Sequence, residues 1–233
     1  MTLSKKLIIA AIFVMSLGLT YNFIRIVKQK QINNLNTVNN AKLVQTDTEA
    51  IKNQQLKETE NKNQQRIKQK QQNLEAMWKK GYDEFFQKKY KEAIETERQV
   101  LKEDPNFYKA YAVEGIALAY SGNFKNGLKQ IDQALKLRPD YGYARFNKAL
   151  ANELYGYNDE AIKWYKKALE VEKFEWSYYG IASVYGRKGD IENTIKYLKL
   201  AIEINVNIKN VAKTEEDFDN VKESIEFKEL IKE

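Results

Sequence analysis

The chain has 233 residues, 39 Lys/Arg against 32 Asp/Glu, a formal net charge of +7 and a sequence isoelectric point near 9.2. It contains no histidine and no cysteine, which removes the commonest metal ligands, the usual base at neutral pH and the thiolate nucleophile. Neither a GxxxxGK(S/T) loop nor a GxGxxG loop occurs, so the residues point away from catalysis, and no cofactor or metal is expected.

Residues 1–6 form a short basic N-terminus, followed by the apolar run Leu7–Ile24 with Lys5 and Lys6 before it and Arg25, Lys28 and Lys30 after it. As a helix this run would span about 27 Å, close to the roughly 30 Å of bilayer hydrocarbon. It is expected to be a single-pass transmembrane signal-anchor, because apolarity continues past the small residues Ser16-Leu17-Gly18 where a peptidase could cut. A cleaved signal peptide is the alternative. The basic lead resembles an export signal and places the following domain outside the cytoplasm. Residues 1–75 hold twelve Lys/Arg and five Asp/Glu, so they carry the whole net charge and the remainder is balanced. Nucleic acid is therefore an unlikely partner for the remainder, because a phosphate-tracking groove would need net positive charge.

Residues 25–74 form a polar stalk rich in Asn, Gln and Lys, with 19 Asn or Gln among residues 29–74 and no aromatic on which a base could stack. The stalk is expected to be disordered near the membrane and helical from about Thr48 onward. Its apolar residues from Ile51 are spaced too irregularly for a sustained heptad seam, though an oligomerising coiled coil is the sharper alternative.

From residue 75 a 34-residue beat takes over. Pro105 and Pro139, the only prolines, lie one period apart. Gly81, Gly115, Ala149 and Ala182 recur at nearly the same interval, as do Ala93, Gly127, Ala161 and Thr194, and Val100, Ala134, Ala168 and Ala201. Small residues at a fixed helical offset let helices approach closely, so stacked helix pairs are expected. Helices are placed at 75–87, 90–103, 107–120, 124–137, 141–154, 158–171, 174–187 and 191–204. Gly122, Gly156 and Gly189 supply the turn between partners. In the first pair Lys88 takes that turn position, and Glu97 takes a position that is apolar in the later pairs.

These residues resemble the tetratricopeptide repeats. The second unit shows Tyr111, Gly115, Gly122, Phe124, Leu128, Ala134, Leu135 and Pro139 in the order of that family; the third and fourth follow with Ala149, Gly156, Ala161 and Ala168, then Ala182, Gly189, Leu198 and Ala201. The resemblance implies an all-α, right-handed superhelical solenoid of helix-turn-helix repeats over 75–206, in units 74–107, 108–141, 142–174 and 175–208. Residues 213–233, with Phe218, Val221, Phe227 and Leu230, resemble the closing segment of some bacterial members and are expected to form a C-terminal capping helix. The carboxylates Glu215, Glu216, Asp217 and Asp219 read as charge bias at a helix start rather than as a metal site.

In this family the first helix of each unit lines the concave face. On that basis Trp78, Tyr82, Phe86, Lys109, Tyr120, Tyr143, Phe146, Asn147, Trp176 and Tyr179 are expected to form a partner-binding groove. Only Asn147 matches the Lys/Arg/Asn clamp with which some members hold a terminal carboxylate, so an apolar or extended peptide suits the rings better. Removing Tyr143 or Tyr179 is expected to weaken partner capture with little loss of stability. The function expected is a membrane-tethered, non-catalytic adaptor or assembly scaffold that binds a protein or peptide. A secreted or periplasmic binding protein for a peptide or glycan is the alternative.

Overall fold

The computed structural model describes the backbone of residues 3–232 and the side chains of residues 22–43, 45 and 52–232. All described elements are helical: α1 (Leu3–Phe86), α2 (Tyr90–Glu103), α3 (Tyr108–Tyr120), α4 (Phe124–Leu137), α5 (Gly142–Leu154), α6 (Asn158–Leu169), α7 (Glu175–Arg187), α8 (Ile191–Ile204), α9 (Ile208–Thr214), a 3-10 turn (Glu216–Phe218) and α10 (Ile225–Ile231). The chain divides into two units, Met1–Lys68 and Gln69–Glu233.

The first unit contains only α1. Helix runs without a break where the sequence suggested a spacer disordered before Thr48. No proline or glycine interrupts residues 29–74, and side-chain pairs one turn apart support the polar surface of this unit: Gln29 donates to Asn33 and Gln54 to Glu58. Most of the Leu7–Ile24 run lies outside the described side chains. Among the described residues no helix is long and apolar enough to cross a membrane.

The second unit is a solenoid of four helix pairs, formed by the last part of α1 with α2, then α3 with α4, α5 with α6, and α7 with α8. Its core is built on small residues. Ala93, Ala112, Ala134, Ala149, Ala161, Ala182 and Ala201 are fully buried between helices, with Ile116, Ile131, Tyr165, Ile181 and Leu198 filling the gaps. Helices α3 and α4 approach closely. A Cβ on Gly127 would lie 2.7 Å from the Gly115 carbonyl oxygen and 3.0 Å from the Ala119 amide nitrogen. Backbone atoms cannot swing aside, so Gly127→Ala should cost about 1–3 kcal/mol by overpacking. A thermal melt of the variant beside the parent chain measures this; an unchanged midpoint would mean that α3 and α4 separate freely.

The turns follow the glycine beat. Gly122, Gly156 and Gly189 take positive φ values of 89°, 77° and 69°, and Lys88 takes φ 61° at the matching place in the first pair. There a side chain adopts a backbone geometry that costs it about 1–2 kcal/mol, and the surrounding ring cluster of Phe85, Phe86 and Tyr90 holds it. After α8 the chain does not form the single capping helix expected over residues 213–233. It breaks into α9, the 3-10 turn and α10. The reason lies in packing: Ile208, Ala212, Phe218, Val221 and Phe227 all bury themselves against Tyr179, Leu198 and Ala201, and no single straight stripe could present them together.

Candidate functional site

The inner face of the second unit holds a cavity of about 770 Å³ whose walls are mostly aromatic. Tyr82 and Phe86 come from the end of α1, Tyr120 from α3, Tyr143, Phe146 and Asn147 from α5, and Trp176 and Tyr179 from α7. These eight of the ten expected residues are brought together because equivalent turns of successive first helices stack along the solenoid. The rings form a connected surface. Tyr82 lies 4.7 Å from Phe86 and 5.7 Å from Tyr143 between centroids, and Trp176 meets Tyr179 edge-on at 5.4 Å.

Trp78 and Lys109 stand apart from the cavity. Trp78 packs with Leu101 and Phe107 beside the buried Leu74, Val100 and Ala110. Lys109 places its ammonium 4.8 Å from the Trp78 ring and binds both oxygens of Glu75, at 2.8 and 3.0 Å. This lysine is therefore a strut between the first helices of neighbouring pairs rather than a ligand contact. Asn147 lines the cavity but is already engaged, because its side-chain amide donates to the Ala112 carbonyl at 3.2 Å. It ties α5 to α3, and its orientation is set by that bond.

Several lining residues were not anticipated. Phe85 and Tyr90 frame the α1–α2 turn, Phe174 precedes α7, and Tyr165 enters from the second helix of its pair. Phe85 lies three residues after Tyr82 and could have been read from the same helical face, whereas Tyr165 occupies a core position of the repeat and gave no such signal. Polar groups collect at one side. Tyr165 donates its hydroxyl to Glu153 Oε2 at 2.5 Å, Arg187 Nη2 donates to Glu153 Oε1 at 2.8 Å, and Arg187 Nη1 pairs with Asp217 Oδ2 at 2.5 Å. Burial pushes the Glu153 carboxyl above its ordinary range, against the pull of the Tyr165 and Arg187 donors. The run containing Asp217, read from sequence as a local charge bias, thus supplies one arm of a bridge from the C-terminal segment to the groove.

Two hydroxyls remain uncommitted. The phenol oxygens of Tyr143 and Tyr179 are buried without a hydrogen-bond partner, although Asn147 and Ser183 stand near them. Burial raises both phenols far above their ordinary value, so they are neutral donors at any physiological pH. Tyr179 also meets Phe218 edge-on at 5.7 Å in the core under α7 and is only 8% exposed. It belongs to the wall of the groove and to the core at once, so the expectation that its removal leaves stability intact does not hold. Among the described residues no group of three or more Asp or Glu could hold a metal ion.

The fold is that of a helical repeat protein. The chain carries tetratricopeptide repeats: one family model matches residues 113–174, and a second matches residues 177–206. This family mediates protein–protein contact and is typically non-catalytic. An uncharacterized protein of Methanocaldococcus jannaschii is 36% identical over 72 residues, which cover 30% of this chain and 84% of that one. An antiviral innate immune response effector of Homo sapiens is 28% identical over 125 residues, or 50% of this chain and 26% of that protein. The chain thus spans about a quarter of the length of that primate relative. Among solved structures, a thermophilic tetratricopeptide protein of Thermus thermophilus superposes with a TM-score of 0.55 at 18% identity, covering 60% of this chain and 80% of its own. That likeness is one of fold. These relatives come from an archaeon, a primate and a bacterium, so a bacterial origin does not follow from them.

Proposed function

We propose that the protein is a non-catalytic adaptor or assembly scaffold that captures an extended peptide or protein segment in the aromatic groove. The carrying observation is the groove itself: rings from α1, α3, α5 and α7 converge on one cavity that includes two buried hydroxyls without partners. Tyr and Trp give large contact area at low entropic cost, and a buried hydroxyl that lacks a bond favours a ligand able to supply one. The division into anchor (7–24), stalk (25–74), repeat units and cap belongs to the same reading. So does tethering by Leu7–Ile24, with the repeats outside the cytoplasm, which is supported by the apolar run and its basic lead.

The groove is tested with the least buried rings. Trp176 is 36% and Phe86 61% exposed, so Trp176→Ala and Phe86→Ala should leave the melting midpoint nearly unchanged. If these rings are binding hot spots, each variant should weaken capture of a groove-binding peptide roughly thirtyfold. Fluorescence anisotropy against a synthetic peptide panel reads this directly, and binding that survives both substitutions would remove the groove from the mechanism. For the tether, full-length protein should stay with membranes through high-salt and alkaline washes. Full-length protein in the soluble fraction would sink that part, and a faster-migrating soluble product would indicate release by cleavage.

A further inference from the structure

Charge is distributed unevenly around the groove. Lys88, at the α1–α2 turn, is the only basic residue in its lining, whereas Glu153, Glu215 and Asp217 line it from α5 and the segment after α9. One cation, Arg187, serves both Glu153 and Asp217, and Glu215 has no ion pair among the described residues. Two carboxylates therefore share a single guanidinium, and the third, Glu215, has none. The hydroxyl of Tyr179, nine-tenths buried and without a hydrogen-bond partner, belongs to the same lining as these three groups. Phe174 and Trp176 line the same cavity.

We infer that the groove selects an apolar segment bearing an arginine or lysine, whose cation enters between Glu215, Asp217 and the Trp176 ring while its apolar flanks lie along Tyr82, Phe86 and Tyr143. This rests on the reading of the groove as a peptide site. A guanidinium suits the place because its plane stacks on an aromatic ring while its N–H groups reach a carboxylate, satisfying both kinds of wall at once. An acidic segment would meet the unpaired Glu215 carboxylate and be disfavoured.

The test uses the full-length protein and three fluorescent synthetic peptides of one shared Leu/Pro/Tyr sequence, differing only in a central pair of Arg, Gln or Glu. The Arg peptide should bind about tenfold tighter than the Gln peptide, with the Glu peptide weakest, and its advantage should shrink at high salt. Glu215→Gln, a change at an exposed side chain, should reduce the Arg preference about threefold or more without moving the melting midpoint. Equal binding of the Arg and Gln peptides, or preference for the Glu peptide, would overturn the selectivity while leaving the groove as a peptide site. If none of the three binds a chain shown by circular dichroism to be folded, both the selectivity and the groove reading fall.

Discussion

Replacing Glu97 with methionine should stabilise the protein by about 2–3 kcal/mol at pH 7, which for a domain of this size corresponds to a rise of roughly 5–10 °C in the melting midpoint. Glu97 is fully buried, and neither of its carboxyl oxygens has a hydrogen-bond partner. It points at bare helix, since a Cβ on Gly81 would sit 2.3 Å from its Oε1. The neighbours do not compensate it. Glu84 accepts from Thr96 at 2.8 Å and lies near Lys80, while Glu114 accepts from Arg98 Nε at 2.8 Å. Tyr141, at the N-cap of α5, and Tyr143, within it, are the other titratable groups within its field.

Burial first, then Glu114 and Glu84, push the Glu97 carboxyl from 4.5 up to about 9. Folded protein therefore keeps the proton that the unfolded chain releases above pH 4.5. The favourable contribution is fully present below that pH and is lost progressively as pH rises toward 9. At about 1.4 kcal/mol per pH unit the loss reaches roughly 3 kcal/mol by pH 7. Methionine has a similar length and no charge, so its advantage should be small at pH 5 and grow steadily to pH 8. Urea unfolding at four pH values reads the slope. A gain that is constant with pH would show that the carboxyl is not held neutral in the native state.

The second large effect is expected at Arg187. Arg187→Ala removes the only cation that reaches both Glu153 and Asp217. The Glu153 side chain is 12% exposed and Asp217 is 27% exposed, so neither carboxylate is freely solvated. Breaking a fully buried pair costs about 3–5 kcal/mol; partial exposure here brings the expectation down to about 2–3 kcal/mol. The deficit should be greatest at neutral pH and shrink toward pH 4 as the carboxyls take up protons. Residues 208–232 should also become more sensitive to protease, because the bridge fastens the 3-10 turn to the end of α7. Arg187→Lys can keep only one of the two partners and should recover about half the loss. Wild-type melting and protease resistance in the alanine variant would mean that solvent already screens this bridge.

Much of this was legible in the sequence because helical repeats are written locally. The 34-residue beat of small residues named the helix pairs, and the glycines at 122, 156 and 189 marked their turns, since only left-handed backbone ends one helix and starts the next so tightly. The two departures from the pattern, Lys88 and Glu97, were visible as departures. Both proved to be places where the fold carries a cost, one in backbone and one in desolvation. Eight groove residues were legible as well, because in a solenoid an offset within the repeat is also a direction in space.

Tertiary structure decided what sequence offsets could not. Lys109 and Trp78 share the helical face of the groove but are turned to each other, since an ammonium between a carboxylate and a ring satisfies both locally. Tyr179 is a wall and a core residue together only because Phe218 arrives from some forty positions later and packs against it. The bridge from Glu153 through Arg187 to Asp217 joins three segments with no fixed sequence relation to one another, and the break of the cap into α9, a 3-10 turn and α10 follows from fitting its apolar residues to the exposed end of α8. Local propensity and period determine which segments are helices and how they pair. The shape of the last exposed core face determines where the chain must bend to cover it, and that face exists only once the repeats have stacked.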